Sequence, residues 1–276
     1  MVKVGVYKNY GPTASGGWLD AFNWLRHRHL LFHLVGADLR ARYRRSRLGI
    51  LWALLWPILF ASVFTWVAIN IFHQPFTTYI VYVLTGVVMW DMLGGAFNQG
   101  ASALVVGEGY LRQARIPYLL FPIRTVASMA VNFVFGSIAA LGVTLVLTPQ
   151  AFGWTWLWWP FVLLLTVLFC VPCATFSAIA NLKFRDYQHG ISIVILMLWY
   201  LSPALVMRDV YERPSIKWFT DLNPFASLLD IFRDPLMYHH APSLHDVGLV
   251  AAYTVVMWAV ALIWLKIESR NLIHYF

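Results

Sequence analysis

Asp91 stands alone in a long apolar stretch. A carboxyl group placed inside a bilayer is expensive, so it should face protein or water rather than lipid. Asp91, Gly95, Asn98 and Ser102 recur at i, i+4, i+7 and i+11, a single stripe of a helix, with Gly94 and Gln99 flanking it. Two accounts fit this stripe: small and polar residues that let two helices pack closely, or residues that line a pore. A proton relay would need a second buried acid or base, and the apolar stretches offer none.

Other spacings suggest chemistry and do not carry it. Cys170-Val171-Pro172-Cys173 has the CxxC pattern, yet redox or metal use needs a reactive thiolate with solvent access or further ligands. Both cysteines sit in an uncharged run and the chain has no others, so two small apolar residues beside a proline kink is the better account. His29 and His33 are four apart, but Leu30 stands where a zinc protease needs Glu, so no metal site is expected. The sequence contains no Gly-Lys dipeptide, and without one no phosphate-cradling P-loop can be built. Asp186 and His189 are the nearest approach to a cluster that could act on a lipid phosphate, and two residues make a thin case.

The elements that must position these groups are membrane helices. The chain of 276 residues is 60% hydrophobic and 12% charged, where soluble domains run at about 45–50% and about 25%. That balance excludes a disordered chain, a disulfide-stapled secreted domain and an ordinary soluble enzyme. An apolar run of about 20 residues covers a hydrocarbon core of about 30 Å. Six runs qualify, over 49–72, 79–106, 123–147, 157–180, 190–207 and 247–267. The fifth is the shortest and reaches Ser202-Pro203, which leaves open whether it crosses or stops inside the bilayer. The expected fold class is therefore an all-α membrane protein: a cytoplasmic segment over 1–47, then a six-span domain over 48–276. The runs are continuously apolar rather than alternating, which argues against a barrel.

Lys and Arg placement predicts the orientation. Sixteen of the 20 fall before the first run, between runs two and three, between runs four and five, and in the tail; Arg208, Arg213, Lys217 and Arg233 lie between runs five and six. Both termini are thus expected in the cytoplasm. Trp154, Trp156, Trp158 and Trp159 then fall at the outer boundary, as an interfacial aromatic belt would. Residues 18–47 read as a helix on the membrane surface, with Leu31, Leu34, Val35, Leu39 and Tyr43 at helical spacing and Asp38, Arg40, Arg44 and Arg45 on other faces. Contact with anionic lipid accounts for such a segment; recognition of phosphate is the functional alternative. Nucleic acid is a poor partner for a helix fixed at a bilayer.

Two loops carry further signals. Between runs two and three, Glu108 and Arg112 stand in the favourable order for a helical ion pair, and Pro117 breaks the helix before the next run. Between runs five and six, the segment 222–238 is amphipathic: Asn223 suits a helix cap, Pro224 the first turn, and Pro235 would end that helix or start another. This segment reads either as a membrane-dipping helical pair or as a surface-lying outer helix.

The string from Asp38 to Leu59 resembles the approach to the first span in type-2 ABC transporter permeases of the polysaccharide and O-antigen export group. The matching positions are Arg42, Tyr43, Arg44, Ser46, Leu48, Gly49, Leu51, Trp52 and Pro57. The 107–117 loop is similar to that family's coupling helix, with Gly109 where the family pattern has Asn, and Asn223, Pro224 and Arg233 resemble its outer gate segment. The resemblance implies a homodimer in the bacterial inner membrane, a separate ATP-binding subunit that supplies ATP and Mg, and export of a lipid-linked polysaccharide to the periplasm. It implies coupling through Glu108, Tyr110, Arg112, Arg115 and Pro117, with short re-entrant helices closing the outer end. Arg40, Arg42, Arg44 and Arg45 would then admit a diphosphate headgroup. A teichoic-acid-type polymer, a capsule chain or a hydrophobic drug would suit the same architecture. Aromatic walls would suit sugar rings, although 17% aromatic content also follows from belts and lipid-facing packing.

Overall fold

A computed structural model of the chain describes residues 27–44, 46–73, 75–114, 116–269 and 272–275. Residues 18–26 of the expected surface helix, Arg45 and Arg115 lie outside the described residues. Those described form ten α-helices and no strand: α1 (Arg28–Tyr43), α2 (Trp52–Phe72), α3 (Phe76–Ala101), α4 (Ala103–Gln113), α5 (Leu120–Leu147), α6 (Trp159–Lys183), α7 (Tyr187–Leu201), α8 (Pro214–Leu222), α9 (Pro224–Met237) and α10 (Leu244–Glu268). Short 3-10 turns at Gly49–Leu51 and Trp154–Trp158 lead into α2 and α6.

Five of these elements are long and apolar enough to cross a membrane: Gly49–Ile71, Phe76–Ala101, Leu120–Leu147, Trp154–Lys183 and Leu244–Glu268. The fifth run of the sequence yields only the 15 residues of α7, because helical geometry stops at Leu201 and Ser202 turns extended. The second run, expected to reach 106, breaks at Ser102, whose N–H is shared between the carbonyls of Gln99 and Gly100. Its last apolar residues belong to α4, a separate helix with its own polar face. Pro235 does not end α9, which continues to Met237. The loss of one N–H so near the C-terminus leaves the rest of the ladder intact, and Thr155 Oγ1 donates to the Pro235 carbonyl at 2.8 Å.

Helix α3 is the hub. It packs against α2, α5, α6, α7 and α9, and 83% of its most apolar stretch is buried, against 17% for α2 and for α10. Close approach depends on small residues at two positions. A Cβ on Gly100 would lie 2.7 Å from Ala174 Cα, and one on Gly86 would lie 2.0 Å from the Ala204 carbonyl oxygen.

That carbonyl belongs to the segment following α7, where Ser202, Pro203, Ala204 and Leu205 are buried without helical structure. Non-helical backbone at bilayer depth survives only where protein satisfies its polar groups. Here Arg233 of α9, 1% exposed, reaches across the bundle. Its guanidinium donates to Pro203 O at 2.5 Å, Ala204 O at 3.0 Å, Tyr82 O at 3.0 Å and Thr85 Oγ1 at 3.2 Å. Tyr82 Oη donates within reach of Pro203 O and Val206 O, and Tyr79 Oη donates to Leu205 O. The Tyr82 ring faces the Arg233 guanidinium at 3.5 Å.

Gly86→Ala is expected to destabilise the chain by about 1–3 kcal/mol, because backbone rather than a flexible side chain blocks the new methyl. Arg233→Met, which keeps length and loses the donors, is expected to lose about 1–3 kcal/mol by leaving the Ala204 carbonyl without its donor. Thermal unfolding in detergent micelles measures both; an unchanged midpoint for Arg233→Met would refute the bonding scheme.

Candidate functional site

The string around Ser46 folds for a visible reason. Ser46 Oγ accepts the Gly49 N–H at 3.2 Å and the Trp52 indole N–H at 3.1 Å, closing the turn between α1 and α2. Gly49 takes φ +53°, a left-handed conformation that favours glycine. The turn fixes Trp52 and presents it, half exposed, beside Trp56. Pro57 lies inside α2 one position further on.

Helix α1 runs alongside α5. Leu31 and Leu34 pack on Leu120, and Arg124 Nε and Nη2 donate to both carboxylate oxygens of Asp38, at 2.7 and 2.5 Å. Ser128 Oγ adds a third bond to Asp38 at 3.3 Å. Tyr43 Oη donates to Asn132 Oδ1 at 2.7 Å. The apolar stripe of the basic segment is thus used against α5, while Phe32 faces outward.

Between the end of α1, the start of α2, α3 and α5 lies a cleft of about 520 Å³. Arg42 stands at one end, where its Nη2 donates to Gln99 Oε1 at 3.2 Å. Asp91 lines the same cleft eight residues along α3, about 12 Å away by helical rise. Asp91 is exposed on a helix buried nearly everywhere else, and no described residue lies within hydrogen-bond distance of its carboxylate. Tyr43, Trp52 and Trp56 supply aromatic surface, and Asn132 a further polar group.

The expected stripe on α3 spreads over this open face. Gly95 abuts Met129 of α5, while Asn98 Oδ1 accepts a bond from Ser192 Oγ of α7 at 3.0 Å. Ser102 sits at the break into α4. The stripe therefore faces the gap between α5 and α7, and Asp91, at its N-terminal end, is its one member that lines the cleft.

Helix α4 projects from the same end as α1. Its Ala103, Leu104 and Gly107 are buried, and a Cβ on Gly107 would strike Phe121 at 2.5 Å. Val105, Val106, Gly109, Tyr110 and Arg112 are exposed. Arg112 Nε donates to Glu108 Oε1 at 2.8 Å, the expected i,i+4 pair. The helix ends where Ala114 turns extended, and Pro117 precedes the start of α5.

At the opposite end, Asn223 caps α9 by accepting the Phe225 N–H at 3.0 Å, and its Nδ2 donates to Ser202 Oγ at 2.8 Å. Pro224 occupies the first turn. With Arg233, these residues form one buried network around the break after α7. Arg208 pairs with Asp221 and Asp230 at the same end.

Arg40 and Arg44 are exposed on and beside α1, away from the cleft lining, so of the four arginines Arg42 alone is found in it among the described residues. Asp186 and His189 are exposed where α7 begins. Cys170 and Cys173 are buried free thiols against α3. Sequence reasoning missed Asp38, Arg124, Asn132, Tyr79 and Tyr82. One signal was available: Asp38 is the single acid among the arginines of 28–47.

A family model described as ABC-2 type transporter matches residues 29–237. The O-antigen export system permease protein of Myxococcus xanthus is 29% identical over 251 residues, covering 89% of this chain and 94% of that relative. An O-antigen export system permease protein of Klebsiella pneumoniae is 24% identical over 227 residues, covering 80% and 87%.

Asp38→Ala is expected to strand Arg124 and loosen α1, a local loss of about 1.5–3 kcal/mol for a charged, bidentate contact. Amide hydrogen exchange should rise across Arg28–Tyr43 and not in α6. Unchanged protection of α1 would mean that the leucine contacts alone hold it.

Proposed function

The chain belongs to the ABC-2 type transporter family, and we propose that it is the channel-forming membrane subunit of an exporter of lipid-linked polysaccharide, an O-antigen carried on a polyprenyl diphosphate. One observation carries this reading: the most buried span leaves Asp91 and Gln99 open to a cleft whose end is held by Arg42. A lipid-facing carboxylate would be unstable, so this face belongs to a water-filled conduit. The names of the relatives from Myxococcus xanthus and Klebsiella pneumoniae support the cargo.

The chain lies in the bacterial inner membrane with both termini in the cytoplasm, in keeping with sixteen basic residues on that side. Helix α7 completes a sixth crossing together with the buried segment that follows it. Helices α8 and α9 re-enter from the periplasmic side and close the channel; Asn223, Pro224 and Arg233 frame that closure rather than move within it. Two copies of the chain enclose the conduit. Arg40, Arg42, Arg44 and Arg45 draw the diphosphate toward the cleft from the inner leaflet.

Energy comes from outside this chain. A separate ATP-binding subunit, holding ATP and Mg, docks on α4, whose exposed Val105, Val106 and Tyr110 give it an apolar face and Arg112 a charged one. Closure of that subunit pushes on α4.

The test is genetic and biochemical. Deleting the chain should leave lipid-linked polymer inside the cell, and restoring it should return polymer to the surface. Arg112→Glu combined with Arg115→Glu should lower surface polymer and cargo-stimulated ATP hydrolysis several-fold, with normal amounts of protein in the membrane. Undiminished export by that variant overturns the coupling role of α4.

A further inference from the structure

Resting on the exporter reading, we infer that the cleft between α1, α2, α3 and α5 is a two-part site in which Arg42 holds the diphosphate and Asp91, with Trp52 and Trp56, holds the first sugar attached to it. The argument begins from what each group can pair with. A carboxylate is an acceptor only and repels phosphate, so Asp91 cannot serve the headgroup. It cannot serve the polyprenyl tail either, since no apolar chain repays an unmet charge. Sugar hydroxyls are donors, and two neighbouring hydroxyls match the two oxygens of a carboxylate.

The walls complete the match. Trp52 and Trp56 are 46% and 56% exposed, and the Ser46 bond to the Trp52 indole fixes that ring in place. Indole faces stack on the C–H faces of a sugar ring, so the cleft offers a stacking surface beside an acceptor. Trp56 is further steadied by Phe60, at 6.1 Å between ring centroids.

Spacing separates the two halves. Gln99, which fixes Arg42, and Asp91 stand about 12 Å apart along α3. That is room for a diphosphate and one hexose in series, and the cleft of about 520 Å³ falls in the size range of small-ligand sites. The same spacing keeps the carboxylate away from the phosphates. Among the described residues the Asp91 carboxylate has no hydrogen-bond partner, whereas Gln99 is engaged by Arg42 and Asn132 by Tyr43. The cleft would then distinguish a glycosylated carrier from the bare lipid diphosphate and from phospholipid.

The test titrates the full chain in nanodiscs with two probes, farnesyl diphosphate and farnesyl diphosphate bearing one N-acetylglucosamine. Wild type should bind the sugar-bearing probe at least about ten-fold more tightly. Asp91→Asn should abolish that difference and leave the bare diphosphate unaffected. Trp56→Leu, a second variant at an exposed position, should shrink it, which guards against misfolding of the first. Arg42→Gln should weaken both probes alike. Equal binding of both probes by wild type, or a difference that survives in Asp91→Asn and Trp56→Leu, overturns the sugar subsite and leaves the exporter reading intact. An altered oligomeric state in Asp91→Asn with the difference retained assigns Asp91 to contact between copies, and also overturns it. Failure of wild type to bind either probe, or indifference of both to Arg42→Gln, counts against the headgroup reading itself.

Discussion

The structure depends on meeting the carbonyls of one short non-helical segment, Ser202 to Val206, inside an apolar bundle. Lipid offers no donors, so the protein must supply them. Arg233 provides two bonds to this segment, at Pro203 and Ala204, and two more to α3, while the Tyr79 and Tyr82 hydroxyls reach Leu205, Pro203 and Val206. A buried guanidinium is itself costly. Here its charge is met by a fan of carbonyl dipoles and the face of Tyr82 rather than by a carboxylate. This arrangement dictates much else. Gly86 must lack a side chain because the segment passes over it, α9 must be buried to deliver Arg233, and α3 must carry its tyrosines on the same side.

Local rules made a large part of this legible in advance. Five of the six apolar runs located the long spans, the Asn223-Pro224 pair located the start of α9, and the Glu108–Arg112 spacing gave an ion pair that is present. The stripe around Asp91 followed from helical period alone. What could not be read was pairing across the chain. Asp38 meets Arg124 at a separation of 86 residues, and Arg233 meets Tyr82 at 151; no periodicity encodes such partners. The break at Ser102 was hidden because apolar residues continue on both sides, and hydropathy registers composition rather than a change of helix axis. Pro235 misled for the reverse reason: a helix breaker matters little within one turn of an end.

The arginines before the first span illustrate how similar residues divide in function. Composition treats Arg40, Arg42 and Arg44 as one basic patch. Helical geometry separates them: all three are exposed, but Arg42 alone of them bonds Gln99 and lines the cleft. The single acid in the segment holds the helix to α5, and so sets where Arg42 falls. A positive-inside signal and a specific contact are therefore carried by the same stretch, and the number of charges says nothing about which side chain does which.

Force applied at α4 has a direct route through this architecture. Helices α3, α5 and α6 each contact both α4 and α9, so a three-helix core spans the distance between α4 and α9 at the opposite end. The α3–α6 contact is a backbone-close one at Gly100 and Ala174, which leaves little room for the two to slide independently. Displacement of α4 must then either bend the chain at Ser102, where helical bonding is already interrupted, or tilt α3 as a body. In the second case Asp91 moves relative to α1, which is anchored separately to α5 through Asp38, and the cleft changes width. The cleft lies between α3 and the separately tethered α1, so a tilt of α3 is felt there as well as at Arg233.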